Sequence, residues 1–300
     1  ARPGGEGSRG GGQMEALTTE DGRLLAYERV GSGPTLVCHG GGPGFSSFYL
    51  GNLGGLDERL ELVLLDPRGT GGSDRPADPR AYAIEDYASD VEELRRHLGL
   101  ERLNLLGHSH GGVVAMAYAA THPERVERLI LASTLARWAP EQQEAMNEWV
   151  ESHAGEPWYA DAKAALDAEL AGDFETDEEL AELGVREFPF YFASYGDEQR
   201  AYVERVREEA PNADTLRLFN NEIFETFDLR PDLERITAPT LVITGAEDFI
   251  TGPPSAAEIE QGLADVSKVV VPGCGHFLYI ETPEAFVEAV ASFVAVPATA

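Results

Sequence analysis

The sequence predicts an α/β architecture: a mostly parallel central sheet flanked by helices, with a helical cap inserted late in the chain. Three observations carry this reading. Short apolar runs of four to seven residues alternate with stretches of helical spacing, the pattern of strands buried on both faces. Several of those runs end in glycine-rich turns, where open α/β sheets place their ligands. One long segment, Trp138 to Arg235, abandons the alternation and reads as helix throughout.

In chain order, Ala1 to Gln13 is rich in Gly and Arg and lacks the apolar middle of a signal peptide, so we expect a disordered tail over 1–13. The core is expected over 14–137 and 236–296, with the cap over 138–235. Arg23–Val30 and Thr35–Cys38, separated by Gly31-Ser32-Gly33-Pro34, read as neighbouring strands. Glu61–Leu65 is a third. The apolar spacing Ile84, Tyr87, Val91, Leu94, Leu98 predicts a helix, with Gly99 as its stop. Leu103–Leu106 predicts a buried strand, Gly111–Ala120 a helix of small residues, and Val126–Ala132, Thr240–Thr244 and Val266–Val271 further strands.

Composition narrows the function. The 300 residues carry a formal charge of −30, which excludes a general affinity for nucleic acid and disfavours anionic membrane surfaces. Between 138 and 235 there are 26 Asp and Glu against 8 Lys and Arg; a solvated helical face accounts for most of this, and an acidic lid also favours a cationic substrate. Cys38 and Cys274 cannot form a disulfide framework, and no apolar run approaches the ~20 residues of a membrane span. The expected setting is soluble, reducing and cytoplasmic, with room for a homo-oligomer.

The chemistry-bearing signal is Gly107-His108-Ser109-His110-Gly111, set between a predicted strand and a predicted helix. That context is the one a nucleophile elbow requires, with glycines where side chains would collide on a sharp turn. A serine hydroxyl is a weak nucleophile and needs a base held by an acid. Both stand at later strand ends: Asp248 in Gly245-Ala246-Glu247-Asp248, with Glu247 as its nearest rival, and His276 in Pro272-Gly273-Cys274-Gly275-His276. His97, His122 and His153 read instead as surface or capping residues. The loop His39-Gly40-Gly41-Gly42-Pro43-Gly44 follows a strand and lets a backbone N–H approach a developing oxyanion; Gly41 and His110 are the expected donors. No metal-ligand spacing is present, and no cofactor is expected.

These residues resemble the α/β-hydrolase superfamily over nearly all of Met14–Val296, and within it the serine prolyl aminopeptidases, or proline iminopeptidases. The likeness rests on His39–Gly44, on Asp66-Pro67-Arg68-Gly69-Thr70-Gly71-Gly72-Ser73-Asp74, and on Gly107–Gly112. It implies the α/β-hydrolase fold and removal of an N-terminal residue, preferably proline, from a short peptide or amide. It also implies cap glutamates that grip the substrate amine, which by position are similar to Glu187 and Glu222. Two departures touch the substrate and not the triad. The loop's extra glycine is shared with carbon–carbon bond hydrolases, and His110 stands where the aminopeptidases carry tryptophan. An esterase, a lactonase or a carbon–carbon bond hydrolase is therefore the alternative, and a non-catalytic receptor on the same scaffold the rival from another class.

Overall fold

A computed structural model describes residues 12–295. Its sheet has eight strands: β1 (Gln13–Thr18), β2 (Leu24–Gly31), β3 (Thr35–His39), β4 (Glu61–Leu65), β5 (Leu103–His108), β6 (Val126–Ala132), β7 (Thr240–Gly245) and β8 (Val266–Val271). Their spatial order is β1-β2-β4-β3-β5-β6-β7-β8. The pairs β1–β2 and β2–β4 are antiparallel, and every later pair is parallel.

The inner parallel strands send alternate side chains to opposite faces, and both faces are covered. Val37, Val63, Leu105 and Leu129 pack with Val91, Leu94 and Val114 of the helices Ile84–His97 and His110–Thr121. Leu36, Leu62, Leu106 and Ile130 pack on the other face with Phe286 and Val290 of the helix Pro283–Ala295. Fully apolar strands are stable here because neither face meets water. The strand β1 escapes the sequence reading. It is a half-exposed edge strand, whose burial leaves only one of its residues inside. The tail expected over Ala1–Gln13 lies outside the described residues apart from Gly12 and Gln13, and Gln13 opens β1 instead of belonging to that tail.

Between β6 and β7 the chain is helical: Pro140–Ser152, Tyr159–Ala171, Asp177–Glu187, Asp197–Val206, Ala213–Leu218 and Arg230–Leu233, with short turns between. A bridge between Arg137 and Asp228 draws the two ends of this segment together. Among the described residues no helix is long and apolar enough to cross a membrane. Both cysteines are buried and unbridged.

The Asp66–Asp74 motif is a buried polar knot. Asp66 accepts from the Ser47 N–H, the Ser47 hydroxyl and the Gly72 N–H. Arg68 donates to both oxygens of Asp90, at 2.7 and 2.8 Å, and to the carbonyls of Ala81 and Asp86. Removing one member of such a pair strands a charge away from water. Asp90→Ala should therefore cost about 3–5 kcal/mol in urea denaturation; a loss below about 1 kcal/mol would show that Arg68 finds solvent.

Candidate active site

Ser109 sits between β5 and the helix His110–Thr121 at φ 56° and ψ −126°. A residue with a side chain rarely adopts this angle, and neighbouring backbone holds it there. The Ser109 N–H donates to the Ala132 carbonyl at 3.0 Å, and the Thr134 hydroxyl donates to the Ser109 carbonyl at 2.7 Å. The flanking glycines are obligatory by contact. A Cβ at Gly107 would lie 2.2 Å from the Gly111 oxygen, and one at Gly111 would lie 2.2 Å from the His39 oxygen.

The end of β7 supplies Asp248, and the turn after β8 supplies His276, both buried. His276 Nδ1 lies 3.0 Å from Asp248 Oδ2. Asp248 also accepts from the Ile250 N–H, the Thr251 N–H and the Thr251 hydroxyl. Burial alone would raise its pKa, but His276 and Thr251 together hold it down to about 2. Asp248 is therefore an anion locked against the imidazole. Glu247 is committed elsewhere, accepting from the Cys274 N–H at 2.9 Å. From the helical segment, the Tyr191 carbonyl accepts the His276 backbone N–H at 2.7 Å.

Ser109 and His276 line one pocket with Gly42, Tyr49, Phe188, Tyr191 and Phe277, a space of about 600 Å³ including its mouth. Among the described residues the Ser109 hydroxyl makes no hydrogen bond, to His276 or to any other group. Such contacts commonly close only when substrate binds.

The glycine loop after β3 differs from expectation at one atom. Gly41 abuts the serine, where a Cβ would lie 2.6 Å from Ser109 Cβ, but its N–H donates to the Tyr49 hydroxyl at 2.6 Å. Gly41 is thus not the free donor. Gly42, the next residue, lines the serine pocket, and among the described residues no protein acceptor is recorded for its N–H or for that of His110 at the helix start. The His110 ring is buried and neutral, its pKa pushed down to about 3 by burial, and it packs edge-on to Tyr87 and Phe219.

The two expected amine ligands separate. Glu187 ends the helix Asp177–Glu187, is 3% exposed and lines the serine pocket. Its Oε2 is buried without a donor, and its Oε1 meets the Tyr191 hydroxyl at 3.4 Å. Glu222 is a correction: it is exposed on the turn Phe219–Ile223, paired with Arg80, and lines a different surface hollow. The second carboxyl in the serine pocket is Glu169, on the helix Tyr159–Ala171. Burial raises the pKa of both carboxyls, and at Glu187 the neighbouring Glu169 raises it further. Nothing in the sequence around Asp167-Ala168-Glu169-Leu170 marks this residue; only the packing of two helices brings it to Glu187.

The alpha/beta hydrolase fold family matches residues 34–283. The chain belongs to that family, and the enzyme is a hydrolase. It is 28% identical to a proline iminopeptidase of Heyndrickxia coagulans, over 89% of this chain and 92% of that one. It is also 28% identical to a (lyso)-N-acylphosphatidylethanolamine lipase of Bos taurus, over 84% and 76% of the two chains. Among solved structures, the enol-lactonase of Burkholderia xenovorans LB400 superposes with a TM-score of 0.72 at 26% identity, covering 94% of this hydrolase and 100% of the lactonase.

The contact between Gly41 and the serine gives a direct test. Gly41→Ala should slow fluorophosphonate labelling of Ser109 at least about 100-fold, because a small displacement of reacting groups costs that much. Labelling at the wild-type rate would show that the loop yields without moving the site.

Proposed function

We propose that this hydrolase is a serine aminopeptidase that releases an N-terminal residue, preferably proline, from short peptides or amides. The observation that carries the reading is the coexistence, in one pocket, of Ser109 and His276 with the carboxyl pair Glu169 and Glu187. Neither carboxyl has a lysine or arginine among the groups that set its ionisation, so a substrate ammonium is the cation they lack. The likeness to proline iminopeptidases agrees with this reading.

The chemistry follows the atoms in place. The Ser109 hydroxyl attacks the carbonyl carbon of the N-terminal residue, and His276 Nε2 takes the proton. Asp248 holds Nδ1 and stabilises the imidazolium. The N–H groups of Gly42 and His110 hold the oxyanion; such donors are worth about 2.7–4 kcal/mol each in the transition state. Collapse expels the leaving amine, which receives the proton from His276. Water, deprotonated by the same imidazole, then releases the amino acid. Phe188, Tyr191 and Phe277 offer an apolar wall for the pyrrolidine ring. The likeness to the enol-lactonase favours an esterase or lactonase as the second reading.

Three substrates separate the readings: proline p-nitroanilide, its N-blocked form and a p-nitrophenyl ester. The free-amine amide should be turned over best and its blocked form poorly. Substantial turnover of the blocked amide would remove the carboxyl pair from substrate binding. Glu187→Gln should lower kcat/KM for the free amide about 100-fold and the ester far less.

The pH dependence has a defined sign. A raised carboxyl pKa leaves the pair holding a proton in mildly acid solution, and raising the pH strips it and creates the anion that binds ammonium. KM for the free-amine substrate should therefore fall as the pH rises beyond the ordinary carboxylate range, while KM for an amine-free ester stays flat. A flat profile for both substrates would contradict the clamp.

A further inference from the structure

Tyr49 lies on the short turn Ser47–Leu50, is buried, and shares the serine pocket. Its hydroxyl is the centre of a chain of hydrogen bonds whose direction can be worked out. His108 Nε2 lies 3.0 Å from the His276 carbonyl, which can only accept, so the proton is on Nε2. Burial pushes the His108 pKa down to about 3, the ring is neutral, and Nδ1 carries a lone pair. Tyr49 Oη, 2.8 Å from that Nδ1, therefore donates to it. This leaves the Tyr49 oxygen free to accept the Gly41 N–H at 2.6 Å.

The chain thus runs from the loop residue that abuts Ser109 to the backbone of His276, passing under the nucleophile through the residue just before it. Every polar atom along it is committed, which makes the arrangement single-valued. From the cap side, the Tyr202 hydroxyl donates to the Tyr49 carbonyl at 3.0 Å. The Tyr49 ring also packs against the loop, where a Cβ on Gly40 would lie 3.0 Å from Tyr49 Cε1.

We infer that Tyr49 and His108 are positioning residues for acyl transfer, forming one hydrogen-bonded strut that sets the oxyanion loop against the catalytic histidine. The inference rests on Ser109 acting as the nucleophile. Neither side chain gives or takes a proton from substrate. The strut places the Gly42 N–H relative to the attacked carbonyl, so its loss affects the transition state more than substrate binding.

The test uses Tyr49→Phe, His108→Gln and the double variant, with melting temperature, fluorophosphonate labelling and steady-state kinetics measured on each. Tyr49→Phe keeps the ring and deletes only the hydroxyl. It should lower kcat about 10- to 100-fold with KM within about twofold of wild type. Because both residues serve one strut, the double variant should be no worse than about the poorer single variant. Losses that multiply, a kcat of Tyr49→Phe within about threefold of wild type, or a change confined to KM would each overturn the inference. If Tyr49→Phe fails to fold, the same kcat and KM split in His108→Gln decides. Failure of wild-type Ser109 to label would instead overturn the nucleophile assignment, so the two failures are told apart.

Discussion

The left-handed backbone at Ser109 constrains everything around it. For a residue with a side chain the conformation costs about 1–2 kcal/mol, so the surroundings must over-determine it. They do so through hydrogen bonds at the C-terminal end of β6, one to the Ala132 carbonyl and one from Thr134 just beyond it. The turn also brings the first residues of the following helix against the end of β3, where only glycine fits at 107 and 111. Strand order is part of the same constraint. Because β3 neighbours β5 in parallel, the loop after β3 must emerge beside the serine, and the glycine run there is a consequence of topology as much as of chemistry.

Two buried acids illustrate how partners, more than depth, decide ionisation. Asp248 and Glu187 are both withdrawn from water, yet their pKa values move in opposite directions. Asp248 faces an imidazole and three donors from Ile250 and Thr251, so its charge is cheaper inside than its proton. Glu187 faces another carboxyl, and its remaining oxygen has no donor. One is a permanent anion that orients a base. The other is held towards its neutral form by burial and by the second carboxyl beside it.

Legibility in the sequence followed locality. The bounds of β4, β6 and β8 match their apolar runs, which burial writes plainly in β4 and β6 and which the valines of the half-exposed edge strand β8 still mark. The serine turn was readable because its glycines, strand and helix are contiguous. Asp248 was favoured over Glu247 in the sequence, and in space the Cys274 N–H claims the latter. Glu169 went unmarked for a stronger reason. It stands on a helix, Tyr159–Ala171, with no distinct apolar face, and whether it or Glu222 turns inward depends on how elements pack across tens of residues. The hydrogen bond that claims Gly41 was equally hidden, since the sequence shows that a glycine loop has donors but not which donor is already spent.

The helical segment between β6 and β7 is joined to the rest of the chain at the site itself. The Tyr191 carbonyl holds the backbone N–H of His276, and the Tyr202 hydroxyl holds the carbonyl of Tyr49. Tyr191 also meets the Glu187 carboxyl, so one residue touches both that carboxyl and the backbone of His276. A cation bound between Glu169 and Glu187 would therefore order, through Tyr191, the same loop that carries the imidazole. Binding energy gathered at the substrate's amine can in this way be expressed at its carbonyl, where the rate is set. On the proposed reading, a substrate lacking the amine would lose turnover as well as affinity, because the missing contact belongs to the same hydrogen-bonded group that holds the His276 backbone.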